Sequence, residues 1–390
     1  MWFLETETAL RLLGAGAVWA IFALLAAKLG FSGKLNRWLL PVDILLLSLI
    51  SLRLTAFYLL YTLAVWALGL IVGGVRGDAE KPAGAGAKLT FVLACLLCAL
   101  PFFYLRAQEV FSALPLLFAL TGFAYNMLKA VDSLYYVYYT GERIGLIDLA
   151  GYLLFFPTFT AGPILRCRDF LRDLRSPRPV TGETLFFSVR RVIIGYFKKV
   201  VVLVFVSILL SRMAALTPHF WLSLLTCLVS YLLLWLDMSG YADIAIGLGG
   251  AMGFSVPENF KEPLRAASFT QFWRNWHVSL TDWIREHIFV VLNGKKLTKY
   301  QGAAMGFITM MVMNFWHGLS LTYLADGFLM GTMLALEHLL GITTVNKKKV
   351  SRGYFFLRCA IVTLLFGFDT IFYTLTPEEL RNVLLGFIRL

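Results

Sequence analysis

Three of the chain's five histidines, His277, His287 and His317, fall between Trp235 and Gly318. An imidazole is the side chain best suited to exchange a proton near neutral pH. Inside an apolar run an ionisable group is costly enough that a functional reading outweighs a packing one. His317 ends the run MGFITMMVMNFWHG, with Asn314 three residues before it and therefore on the same helical face. His317 therefore reads as a proton-transfer group. His277 stands among tryptophans in SFTQFWRNWHVSLTDWIREHIFVV, where it either joins that chemistry or only bonds a headgroup or a carbonyl. His287, His219 and His338 read as structural. Asp237 and Asp243 interrupt the apolar run LDMSGYADIAIGLGGAMGF, and carboxylates in such a run face a bundle interior or a cavity. No GxSxG elbow, P-loop, HExxH or i, i+4 histidine pair is present, so no metal site is expected. Cys95, Cys98, Cys167, Cys227 and Cys359 are scattered, mostly within apolar runs, and read as packing residues.

The elements that position these groups belong to a bilayer. With 59% hydrophobic and 15% charged residues the chain is far more apolar than a soluble domain. Its mean hydropathy of +0.75 agrees. At about 20 apolar residues per crossing the runs suggest about ten or eleven spans in a single all-α polytopic integral membrane domain over 1–390. The net charge of +12 sits in short loops between apolar runs, which is the positive-inside pattern and not a nucleic-acid surface. Glu5 and Glu7 precede the first run with no basic n-region, so no cleaved signal peptide is expected and the N-terminus is placed outside.

Residues 9–30, 38–74 and 88–105 read as the first spans, with a hairpin turn near Ser51 and a loop over 73–88. Another span is expected over 110–130, before the tyrosine-rich SLYYVYY at an interface. FFPTFTAGPI, with Pro157, Gly162 and Pro163, suggests a broken or re-entrant end. LRCRDFLRDLRSPRP then reads as a cytoplasmic loop whose five arginines either fix topology or attract an acidic partner or lipid headgroups. Arg190, Arg191, Lys198 and Lys199 interrupt the run 184–213 and must snorkel, or the helix lies along the interface. Gly247, Gly249, Gly250 and Gly253 allow close backbone approach.

Ser268 and Gln271 form a capping-box pattern that starts a helix expected over 269–291. At about 100° per residue its aromatic and aliphatic residues share one arc with His277 and His287, while its charges fall opposite. It is too charged to span. The last spans are expected over 302–323, 324–342 and 354–375, with basic loops at 295–299 and 347–352. Thr376, Pro377 and Glu379 mark the start of a short terminal helix.

The segment GYADIAIGLGGAMGFSVPENFKEPLRAASFTQFWRNWHVSLTDWIREHIF, followed by NFWHG, closely resembles the signature of the membrane-bound O-acyltransferase (MBOAT) family. FFPTFTAGPILR and GYFKKVVV are similar to its bacterial members, so the resemblance covers about 150–390. It implies a ring of helices with short interfacial or re-entrant helices around a central tunnel. It also implies catalytic roles for His317 and His277, with Asn314, Trp316, Asp243, Trp273 and Trp276 as candidate substrate contacts. No bound cofactor is implied. The acyl donor is a cytoplasmic thioester, acetyl-CoA or an acidic acyl carrier protein. The acyl group, acetyl or D-alanyl, passes toward a hydroxyl of an envelope polysaccharide or teichoic acid. An extracytoplasmic transferase or esterase-like partner is expected, as are membrane lipids around a multi-pass protein of the bacterial cytoplasmic membrane.

The competing classes are a proton-coupled transporter or lipid scramblase, with Asp237, Asp243 and His317 as a relay, and an inactive scaffold of an envelope complex. A transporter usually shows internal repeats with corresponding breaks, and none is visible. The positive-inside pattern makes the loops at 166–178, 295–299 and 347–352 cytoplasmic. Single cysteines placed in them should stay unlabelled by an impermeant thiol reagent added to intact cells, and labelling there overturns this orientation.

Overall fold

The computed structural model describes residues 36–77, 80–81, 83–111, 122–176, 178–289 and 298–389. The expected span at 9–30, residues 112–121 of the next expected span, and Lys295 and Lys296 lie outside them. Among the described residues all regular structure is helical. The chain divides into two compact units. One holds the described residues up to Ile193 together with Asp243–Pro257, and the other holds Ile194–Ala242 and Glu258–Leu390.

The first unit begins with α1 (Asn36–Ile50) and α2 (Leu52–Arg76), which break at Ser51 as the sequence suggests. Ser51 is extended and its hydroxyl caps the Leu54 amide. The loop expected over 73–88 is narrower, because α2 continues to Arg76 and α3 runs Ala85–Val110. Gly73 and Gly74 are tolerated in the helix because they lie in its last turn, next to the positive-φ cap at Gly77. On α3 the exposed leucines Leu89, Leu93, Leu96 and Leu100 form one stripe at helical spacing, a face that only lipid covers without cost. The tyrosine-rich segment is the second half of a helix, α4 (Phe123–Thr140).

FFPTFTAGPI is broken as expected. After α5 (Leu146–Leu153) come a single 3₁₀ turn at Phe156–Thr158 and irregular backbone up to α6 (Cys167–Arg175). Non-helical backbone away from water must be satisfied by protein groups, and four buried polar side chains supply them. Asn126 Nδ2 donates to the Phe159 carbonyl at 3.1 Å and Lys129 Nζ to that of Leu153 at 3.2 Å. Asp43 Oδ1 accepts from the Phe156 amide at 3.4 Å. Asp132 accepts from the Cys167 amide at 2.6 Å and the Tyr152 hydroxyl at 3.0 Å, and pairs with Arg166 at 3.6 Å.

The arginine-rich stretch is thus partly a helix and not a loop, and its charges meet carboxylates. Arg172 reaches Asp169 at 2.8 Å and Asp173 at 3.0 Å, Arg175 reaches Glu142 at 2.5 Å, and Arg178 reaches Asp173 at 3.7 Å. The i, i+3 spacing of Asp169 and Arg172 explains the helical register.

Next come α7 (Gly182–Ala215), with a π turn at Phe197–Val202, and α8 (Phe220–Ala251). For two of the four cations, ion pairing takes the place of snorkelling. Lys199 pairs with Asp237 at 2.6 Å in the second unit and Arg191 with Asp243 at 2.7 Å in the first. The two aspartates that a transporter relay requires are therefore committed to cations. Gly247 is a close approach of the kind expected, since a Cβ there sits 2.5 Å from the Ser188 carbonyl oxygen.

The second unit continues with α9 (Phe269–Trp273), α10 (Val278–Ile284), α11 (Lys299–His317), α12 (Leu321–Leu340), α13 (Arg352–Thr374) and α14 (Pro377–Gly386). The break between α11 and α12 falls at 318–320, where Ser320 caps the Tyr323 amide, and not at 323–324 as expected. Thr376 and Glu379 close the capping box of α14. Among the described residues five helices are long and apolar enough to cross a membrane: α2, Ala85–Gln108 of α3, α7, α8 and α13. The chain is a multi-pass membrane protein. α11 and α12, expected as spans, fall outside that set because they carry Asn314, His317, Asp326 and Glu337.

Asp132 is the acceptor on which the broken segment converges. Asp132→Ala is expected to cost about 3–5 kcal/mol, read as a clear drop in the thermal midpoint of the purified protein, and an unchanged midpoint contradicts this role.

Candidate active site

The single helix expected over 269–291 is interrupted. α9 stops at Trp273, His277 takes the left-handed conformation (φ 47°, ψ 47°), and α10 starts at Val278 and passes into a π turn over Arg285–Phe289. A residue with a Cβ pays about 1–2 kcal/mol there, so its surroundings must hold it. Asn259 of the PENF hinge does this. Its carbonyl accepts from the Val278 amide at 3.0 Å. Its Oδ1 accepts from the Ser279 amide at 3.1 Å and the Ser279 hydroxyl at 2.9 Å. The Lys261 amide adds a bond to the Asn275 carbonyl at 2.9 Å.

The other end of α9 is fixed by Glu337 of α12. This buried carboxylate accepts from the Phe269 amide at 2.6 Å and from the Thr270 amide and hydroxyl at 2.8 Å each. A negative charge at a helix start is stabilising. Ser268 adds the expected cap on the Gln271 amide at 3.1 Å.

This arrangement sets His277 against a cavity of about 150 Å³ within the second unit. His277, His317, Asn314, Trp273 and Trp276 all line it, so five of the seven residues singled out by sequence meet in one place. Trp316 does not line it; its ring packs edge-on against His317, with centroids 4.7 Å apart. Asp243 does not either: it lies in the other unit, paired with Arg191 beside a separate cavity of about 360 Å³. Four polar lining residues were missed: Tyr323 and Asp326 on α12, and Asp369 and Tyr373 on α13. Asp326 and Asp369 sit in apolar runs, the same signal that marked Asp237 and Asp243, and could have been found by it.

His277 is 2% exposed and neither ring nitrogen has a hydrogen-bond partner. Burial, and then the neighbouring His317, push its pKa down to about 3, so the ring is neutral at physiological pH. Trp273 is buried too, with its indole N–H unpartnered. The Asn314 amide is partly engaged, since Nδ2 donates to the Met310 carbonyl at 3.2 Å. His317 stacks with Tyr323 at 6.1 Å, and Tyr323 with Tyr373 at 5.4 Å. Phe366 packs on Trp276 at 5.0 Å and closes the apolar side. The cavity thus joins two imidazoles, an indole donor and apolar walls, a set suited to proton transfer beside a developing oxyanion. His287 stacks on Trp283 at 4.3 Å, a packing role.

A family model described as MBOAT, membrane-bound O-acyltransferase, matches residues 124–344. The chain belongs to that family. Among curated MBOAT relatives, a probable alginate O-acetylase of Pseudomonas fluorescens is 35% identical over 57% of this chain and 46% of its own length. A teichoic acid D-alanyltransferase of Streptococcus thermophilus is 29% identical over 68% of each chain. A peptidoglycan O-acetyltransferase of Helicobacter pylori is 30% identical over 49% of this chain and 37% of its own. The match spans about half the length of the alginate O-acetylase relatives. The matched region contains His277, His317 and every α12 residue of the cavity, but not Asp369 or Tyr373.

The left-handed backbone at His277 predicts an order of stabilities. His277→Gly, free of the Cβ penalty, is expected to be more stable than His277→Ala by about 1 kcal/mol. Equal thermal midpoints for the two variants contradict the conformation.

Proposed function

We propose that this chain is a membrane-bound O-acyltransferase that moves an acyl group from a cytoplasmic thioester toward a hydroxyl of an extracytoplasmic glycopolymer or teichoic acid. The observation that carries the reading is the meeting of His317 and neutral His277 in one cavity. The activities of the relatives, O-acetylation and D-alanylation of envelope polymers, support the reaction class.

In this mechanism His317 accepts the proton of the acceptor hydroxyl as its oxygen attacks the thioester carbonyl carbon. The tetrahedral oxyanion takes hydrogen bonds from the N–H of neutral His277 and the indole N–H of Trp273, both unpartnered and both on residues that line the cavity. The C–S bond then breaks, and the leaving thiolate takes the proton held on His317. Donors fixed before the reaction cost no reorganisation when charge develops. The break that presents His277 is therefore part of the chemistry.

We place the protein in the bacterial cytoplasmic membrane with its basic loops on the donor side. The donor is acetyl-CoA or an acidic acyl carrier protein, and a separate extracytoplasmic transferase or esterase-like partner completes transfer to the polymer. His317→Ala is expected to lower acyl transfer by about 10²–10⁴-fold, the range for a general base. Unchanged acylation of the envelope polymer in cells holding this variant at normal protein level overturns the assignment.

A further inference from the structure

Two carboxylates that the transfer step does not use, Asp326 and Asp369, line the same cavity. Asp369 is buried and hydrogen-bonds Asp326, the foremost charge acting on it. Asp326 Oδ1 is also buried and receives no hydrogen bond. Tyr373 lies beside both carboxylates, with its hydroxyl turned to Asp326. No lysine or arginine is among the described residues that line the cavity. A carboxylate pair that shares a hydrogen bond still carries charge, and a buried carboxylate without a counter-charge is costly. A bound cation supplies that counter-charge. The rings of Trp273, Tyr323 and Tyr373 line the same space, and aromatic faces attract ammonium groups.

The neighbouring donors narrow the ligand further. Trp273 is 8% exposed and His277 is 2% exposed; both line this cavity, and the indole N–H and both imidazole nitrogens lack partners. Buried polar groups left unmet are rare in folded proteins. The unmet groups here are of two kinds, N–H donors and anionic acceptors. An aminoacyl thioester answers both, because its carbonyl oxygen accepts and its ammonium donates while cancelling charge. An acetyl group answers only the donors. A neutral polyol answers both kinds but leaves the carboxylates uncompensated.

We propose that Asp326 and Asp369 form an ammonium subsite, so that the acyl group taken by this cavity is an aminoacyl group and not acetyl. The inference rests on the acyltransferase reading for the identity of the ligand as an acyl donor. Its test uses the full chain in lipid nanodiscs, titrated calorimetrically with three thioesters of pantetheine: alanyl, lactoyl with a hydroxyl in place of the ammonium, and propionyl with neither.

The alanyl probe is expected to bind about tenfold more tightly than the other two, and Asp326→Asn or Asp369→Asn to bring all three within about threefold. Asp369→Glu, which keeps the charge, retains the preference. His317→Ala also retains it while losing transfer, which separates the subsite from the chemistry. Equal binding of the three probes by the unaltered chain overturns the subsite, as does a preference that survives the double asparagine variant. Lactoyl binding as tight as alanyl points to a neutral hydroxyl ligand and also overturns it, leaving the acyltransferase reading intact. An alanyl preference with no transfer of any probe to any acceptor supports the subsite and defeats the acyltransferase reading instead.

Discussion

Backbone that leaves a helix inside an apolar environment has no water to bond, so every N–H and C=O it frees must find a partner in the protein. The turn between α9 and α10 depends on this constraint. Without Asn259 the amides of Val278 and Ser279 lose their acceptors, and the left-handed backbone at His277 loses what holds it. Without Glu337 the start of α9 is an uncapped set of buried amides. The site is therefore built from broken helices that side chains from distant parts of the chain make affordable. The same logic recurs in the first unit, where Asn126, Lys129, Asp132 and Asp43 satisfy the break after α5.

Charge follows the same rule. The cations within the long helices, Arg191 and Lys199, meet Asp243 and Asp237, and the arginines of α6 meet acidic neighbours. Other buried ionisable groups of the described helices, Glu337, Asp43 and Lys129 among them, are met by backbone or hydroxyl groups. Against that background the cavity stands apart, with two carboxylates and two imidazoles but no lysine or arginine among its described lining residues. A matched interior with one unmatched pocket marks where a ligand belongs.

Much of this was legible in the sequence, and the parts that were not have physical reasons. The run ending in His317 and the tryptophan-rich segment around His277 announced themselves because ionisable groups in apolar surroundings are rare. Asn314 followed from helical spacing. The hinge at Ser51, the broken FFPTFTAGPI and the capping box at Thr376 followed from turn and cap chemistry. The break at His277 did not, because the apolar arc is kept on both sides of it and periodicity carries no sign of φ. Asn259 and Glu337 act through backbone hydrogen bonds 20 and 68 residues away in sequence, which no local pattern encodes. Asp326 and Asp369 were open to the rule that flagged Asp243, but that rule does not say which carboxylates converge. Asp243 turned to Arg191, whereas Asp326 and Asp369 turned to the cavity.

The central claim is that acyl transfer happens in the cavity shared by His277 and His317. The most direct measurement is a structure of the chain bound to a non-hydrolysable thioether analogue of the acyl donor. The account predicts density for the acyl carbonyl in that cavity, within hydrogen-bond reach of His277 or Trp273 and beside His317. Density confined to the cavity beside Arg178 and Arg191, with the histidine cavity empty, contradicts it.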